Sequence, residues 1–261
     1  MTMEKHDSNL PISAELVNCV CKEEVDLETI VVGFPGPGLV GSIAAKYLSS
    51  ELNLKPVGFI RSPLIPPVAV FFEGFLAYPY RIHADSEKKI GVLIGESPSP
   101  PNAYYHIANA VLDWAERIGV REIIIFGGFP VRNLADEDAE EPRVFLVAEP
   151  DLREKVKDFE MPLLHGGYIS DLAGAILNEA IIRDNIDGYA LLVPTVPNLP
   201  DPRGASQLVK TLTEMKGFKV NLKPLLDDSE KIRENLEEIA QHSHELQTQA
   251  PIPEPRRGLY T

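Results

Sequence analysis

Hydrophobic positions along this chain follow two rhythms. Continuous apolar runs mark strands buried on both faces: "ETIVVGF" (28–34), "KIGVLIGE" (89–96), "REIIIFGGFP" (121–130) and "GYALLVPTVP" (188–197). Between them apolar residues recur at helical spacing. Leu39, Ile43, Tyr47 and Leu48 predict a helix over 39–52, and Tyr105, Ala108, Leu112 and Ala115 predict one over 102–118. Further helices are expected over 170–183 and 202–215. Shorter strands are expected at "SAELVNCVC" (13–21), "KPVGFIRS" (55–62), "PPVAVFFEG" (66–74), "LAYPYRIHAD" (76–85) and "RVFLVAE" (143–149). Strand and helix alternate across residues 28–217 without a linker. The pattern predicts an α/β fold, a three-layer α/β/α sandwich around a mostly parallel sheet.

The last 35 residues break this rhythm. From Ser229 to Gln249 the chain is polar and helix-favouring, and Ile232, Leu236, Ile239 and Leu246 form a short heptad seam. Such a seam suits a helix lying on its own domain or one packing against copies of itself. Pro251, Pro253 and Pro255 then stop the helix and favour an extended arm. The expected organisation is an arm at 1–12, an α/β core at 13–225, a C-terminal helix and oligomerisation candidate at 226–249, and an extended tail at 250–261.

Composition narrows the function. The net charge of −14 argues against nucleic acid and against anionic membrane surfaces, both of which need Lys/Arg patches. The start "MTMEKHDSNLPIS" has no apolar signal region, and no stretch approaches the length of a membrane span. Cys19 and Cys21 have no second Cys/His pair to complete a zinc pattern and read as reduced thiols. The expectation is a soluble cytoplasmic protein.

Residues 36–41 read "GPGLVG", a G-x-G-x-x-G placed between a strand and a helix. A dinucleotide site also needs an acidic residue at the end of the next strand, where this chain has Arg61 and Ser62. Pro35 and Pro37 remove two N–H groups from a loop that would bind through such donors. The turn is structural or a generic anion nest. With Gly127 and Gly128 it sits at the carboxyl ends of predicted strands, so Gly36, Gly38, Gly41, Gly127 and Gly128 mark a possible ligand crevice. That leaves open an enzyme or small-molecule sensor. Single histidines (His83, His106, His165) and the helical pair His242 and His244 suggest no metal site. The acidic run Asp136, Glu137, Asp138, Glu140 and Glu141 reads as a solvated loop. No catalytic residue, metal or cofactor is expected.

The chain ends Gly258-Leu259-Tyr260-Thr261 on a proline-rich arm. Physically this is a recognition plug: an apolar anchor, an aromatic ring with a hydrogen-bonding tip, and a carboxylate for a lysine. The alternative is a frayed terminus.

"VVGFPGPGLVGSIAAKYL" (31–48) and "SPSPPNAYYHIANAVLDWAERIGVREIIIFGG" (97–128) together resemble the proteasome assembly chaperone family, in particular its archaeal homologues. The likeness runs from about Glu15 to Phe218. It implies an α/β domain similar to nucleoside phosphorylases, without their chemistry, and non-enzymatic assistance to, or binding of, the proteasome core particle. It also implies a hydrophobic-Tyr-X tail that inserts between α-ring subunits, here Leu259, Tyr260 and Thr261. Archaeal homologues look like homo-oligomers, which favours the seam reading of residues 232–246.

Overall fold

The computed structural model describes residues 16–72, 74–132, 141–159, 161–183 and 185–227. Among these, ten strands form: β1 (Asn18–Cys21), β2 (Thr29–Gly33), β3 (Lys55–Arg61), β4 (Val70–Phe72), β5 (Phe75–Ala77), β6 (Tyr80–Asp85), β7 (Ile90–Gly95), β8 (Glu122–Pro130), β9 (Phe145–Val147) and β10 (Asp187–Thr195). The helices are α1 (Val40–Glu51), α2 (Tyr104–Arg117), α3 (Pro150–Lys155), α4 (Asp171–Ile182), α5 (Pro202–Lys216) and α6 (Lys223–Asp227). Eight strands make one sheet in the order β1-β3-β6-β7-β2-β8-β10-β9.

The middle of that sheet, β7-β2-β8-β10, is parallel throughout. Its flanks are antiparallel, through β6 on β7, β3 on β6, β1 on β3 and β9 on β10. Strands β2, β3, β7, β8 and β10 therefore run one way against β1, β6 and β9, which is the mostly parallel sheet expected. The antiparallel flank was not foreseen. It arises because β6 and β7 are joined by a tight turn, where the Asp85 carboxylate accepts the N–H groups of Glu87 (2.9 Å) and Lys88 (3.1 Å).

Side chains of the central strands alternate between two cores. Ile30, Val32, Ile123, Ile125, Ala190 and Leu192 pack with α2 and α4 residues such as Ile107, Leu112, Trp114 and Ile176. Val31, Ile124, Phe126, Leu191 and Val193 pack on the opposite face with Val40, Leu48, Leu208 and Leu212 of α1 and α5. A period of two on a sheet covered on both faces gives the three layers directly.

Helix boundaries follow local chemistry. Asp201 caps α5, its Oδ1 accepting the Gly204 N–H at 2.8 Å, and Pro202 occupies the first turn. At the other end Gly217 adopts φ +71° and the Phe218 N–H donates to the Thr213 carbonyl (2.8 Å), a Schellman closure.

Two sequence expectations are corrected. "LAYPYRIHAD" is not one strand: it breaks at Pro79 into β5 and β6, since proline cannot donate to a ladder. The strand expected over 66–74 contracts to β4, which pairs only with β5 in a two-stranded sheet of its own. Helix α3 was not anticipated. No helix among the described residues is long and apolar enough to cross a membrane.

Candidate functional site

The carboxyl ends of β2, β7, β8 and β10 meet at one edge of the sheet, with the glycine-rich turn at their centre. A Cβ on Gly33 would fall 2.2 Å from the Gly41 carbonyl oxygen, and one on Gly41 would fall 2.4 Å from that of Phe126. Glycine at these positions lets α1 lie directly on the sheet. Gly38 (φ +64°) and Leu39 (φ +50°) both adopt left-handed backbone, which costs the leucine about 1–2 kcal/mol. The Leu39 N–H donates to the Gly36 carbonyl (2.9 Å), and the Asp201 N–H to that of Gly38 (2.8 Å).

The turn is packed against its neighbours. A Cβ on Gly38 would lie 2.2 Å from Thr195 Oγ1, and one on Gly128 would lie 2.6 Å from the Pro37 carbonyl. A Cβ on Gly127 would lie 3.0 Å from Leu192 Cδ2, whereas one on Gly36 would meet nothing within 4 Å. Four of the five crevice glycines thus serve close approach of protein atoms, and Gly36 alone opens outward. Three buried polar atoms have no hydrogen-bond partner among the described residues: Ser97 Oγ, Thr195 Oγ1 and Asp201 Oδ2. β3, which ends in Arg61, is separated from β2 by β7 and β6, so Arg61 does not stand beside the turn as a ribose partner would.

Beside the turn, the proline loop 97–101 is pinned from below. The Tyr80 hydroxyl donates to the Ser97 carbonyl (2.6 Å) and lies 2.5 Å from Ser99 Oγ, while burial raises the phenol's pKa. Glu96 accepts both Lys46 and Arg81, each at 2.6 Å. These contacts tie the proline loop and the end of β7 to β6 and α1.

Two features escaped the sequence reading. One is the β4–β5 hairpin, which rises from this same edge and exposes Phe71, Phe75 and Leu76. Its signal was present: the nineteen residues between Arg61 and Arg81 carry a single charged side chain, Glu73. The other is a cavity of about 650 Å³ near the opposite edge, lined by Cys19, Cys21, Val25, Trp114, Arg117 and Ile118. Both thiols are free, and burial pushes that of Cys19 up to about 12 and raises that of Cys21. They are protonated at neutral pH and poor nucleophiles.

Of the remaining sequence candidates, Leu259, Tyr260 and Thr261 and the seam residues Ile232, Leu236, Ile239 and Leu246 lie outside the described residues, as do Asp136, Glu137, Asp138 and Glu140. Glu141 is described and pairs with Lys210 (2.8 Å). His83 sits beside Ser49, whose Oγ lies within hydrogen-bond distance of its Nδ1 at 2.8 Å. No group of three or more His, Cys, Asp or Glu side chains suited to a metal occurs among the described residues.

After α5 the chain is held against the C-terminal end of α1. The Tyr47 hydroxyl donates to the Asn221 carbonyl (2.5 Å), and the Asn221 N–H donates to Glu51 Oε2 (3.0 Å). Leu225 of α6 is buried against the same core face, and Asp227 is exposed.

The sequence profile of the PAC2 family matches residues 30–240. The fold is similar to Pyrococcus furiosus PbaA, described as an archaeal homolog of proteasome-assembly chaperone, with TM-score 0.79 and 29% identity over 88% of this chain and 99% of that one. It also matches Pyrococcus furiosus PbaB, described as an archaeal proteasome activator, with TM-score 0.73 and 23% identity over 87% and 99% of the two chains. An uncharacterized protein of Methanocaldococcus jannaschii is 28% identical over 222 residues, 84% of this chain and 88% of its own.

Proposed function

We propose that this chain, which belongs to the PAC2 family, is a non-enzymatic cytoplasmic protein that binds the proteasome core particle as an assembly chaperone or activator. It acts as a homo-oligomer and docks its C-terminal tail into pockets between subunits of the α-ring. The observation that carries this reading is the likeness to PbaA over almost the whole of both chains. The tail chemistry supports it: Leu259 is the apolar anchor, Tyr260 supplies the hydroxyl, and the Thr261 carboxylate pairs with a lysine. Residues 226–249 carry the self-association seam, with Ile232, Leu236, Ile239 and Leu246 on it. Several weak tails on one oligomer gain roughly 10²–10⁴-fold in avidity where their spacing matches the pockets.

The glycine-rich turn is read as a structural junction rather than a ligand site. Proline and carbonyl groups stand where phosphate donors would be needed, and Gly38 and Gly128 abut Thr195 and Pro37.

The test is capture of proteasome core by the intact protein and by a chain lacking residues 259–261. Capture falls at least about tenfold on deletion, and Tyr260→Ala loses most of it. One glycine added after Thr261 moves the carboxylate and has the same effect. Equal capture by the truncated chain rules the tail mechanism out.

A further inference from the structure

Cys19 and Cys21 stand two residues apart on one face of β1, an edge strand, and both open into the cavity of about 650 Å³ beside α2. Along an extended strand such neighbours have their Cβ atoms roughly 6.6 Å apart, twice the rise per residue. A disulfide needs about 3.8 Å, so the pair cannot close on itself without breaking the strand. Both thiols are free. Opposite Cys21 in the ladder is Gly58, where a Cβ would lie 3.0 Å from the Cys21 Sγ, so its absence gives that sulfur room. Two sulfurs too far apart to bond can still lean toward each other and bracket an ion.

The surroundings suit a complex that carries negative charge. Burial raises both thiols, and the neighbouring Cys21 adds to this at Cys19. Against it, the buried Trp114 hydrogen-bonds toward Cys21, and the Arg117 charge favours both ionised sulfurs. Neither Arg117 nor Lys22, which also lines the cavity, has a carboxylate partner among the described residues. Asp113 acts on Cys19 in the opposite sense, but its own charge is engaged by Arg183 at 2.7 Å. Glu23 and Glu24, exposed at the rim, draw cations toward the opening. Ligand number then selects the ion. Structural zinc and iron–sulfur clusters take four ligands, and no third His, Cys, Asp or Glu completes a metal group here among the described residues. Of the soft cations that thiolates select, Cu(I) is the one that two sulfurs satisfy.

The geometry points to a binding site for a monovalent thiophilic cation, Cu(I), held between the sulfurs of Cys19 and Cys21 at the edge of the sheet. The ion forms two Cu–S bonds, displaces both thiol protons to solvent and keeps its oxidation state. The product is a bis-thiolate complex of charge −1, which the Arg117 guanidinium balances. The site goes beyond the proteasome reading and stands independently of it.

Trp114 is the single tryptophan of the chain and lines the same cavity, so its fluorescence reports on the site. The test titrates the reduced, full-length protein without oxygen, using Cu(I) buffered by bicinchoninate. A parallel titration uses Ag(I), which shares the coordination preference and has no redox chemistry of its own. Trp114 emission is quenched and saturates at one ion per chain, and copper X-ray absorption shows two sulfur neighbours. Cys19→Ser and Cys21→Ser each weaken binding at least about 100-fold, because a single thiolate loses the chelate. Emission that stays unquenched through one equivalent, or uptake that the double serine variant shares, overturns the inference. Saturation at one ion per two chains overturns it as well, since the sulfurs then come from different copies. Should the serine variants not fold, the wild-type quenching curve and sulfur count decide alone.

Discussion

Gly36 and Gly38 are neighbours in one turn, yet only Gly38 is constrained. Gly38→Ala brings a Cβ within 2.2 Å of Thr195 Oγ1 at a φ of +64°, so it costs about 2–4 kcal/mol in urea unfolding. Gly36→Ala, in extended backbone with nothing within 4 Å, stays within about 0.5 kcal/mol of wild type. The hydroxyl of Thr195 is buried without a partner, so Thr195→Val stabilises by about 1 kcal/mol in the same assay. His83 titrates against the fold. Burial, then the Arg81 charge, depress its pKa from the ordinary value near 6.5, so the folded chain takes up a proton less readily than the unfolded one. Below about pH 6.5 the unfolded chain takes up a proton that the folded one refuses, so this residue lowers stability as pH falls. His83→Gln accordingly loses less melting temperature between pH 7.5 and 5.5 than wild type does.

The elements were largely legible where residues alone decide them. β2, β7, β8 and β10 are continuous apolar runs, and α1, α2, α4 and α5 show the stripes that their buried faces require. What periodicity cannot carry is direction and partner. β6 is antiparallel because a four-residue turn joins it to β7, and β4 and β5 leave the sheet because prolines interrupt the flanking chain; three-residue strands show no face. The candidate site divides in the same way. Leu259, Tyr260 and Thr261 of the tail lie outside the described residues, whereas the crevice glycines look alike in sequence and differ only in what lies above each one. At the amino edge, Glu122 ties four elements together, accepting from Thr29 (2.6 Å) and Tyr189 (2.9 Å) and pairing with Lys216. Burial and this carboxylate push the Tyr189 phenol upward, so it remains a donor. Tyr189→Phe costs about 1 kcal/mol and Glu122→Ala about 3 kcal/mol by chemical denaturation, the latter leaving a part-buried lysine and phenol unpaired.

At the scale of the whole molecule, charge and apolar surface act in opposition. Copies of a chain carrying a net charge of −14 repel one another. Screening that repulsion tightens association: the dissociation constant measured by sedimentation falls several-fold between about 20 and 300 mM salt. An interface of ion pairs responds in the reverse direction. The hairpin rises from the edge where the parallel strands end, whereas α6 lies at the edge where they begin, near Glu51 and Lys216. The described fold therefore has two unlike ends, an apolar one at the hairpin and a charged one around Glu51, Glu122 and Lys216. A probe attached to the hairpin and one attached to α6 therefore report on opposite ends of the parallel strands.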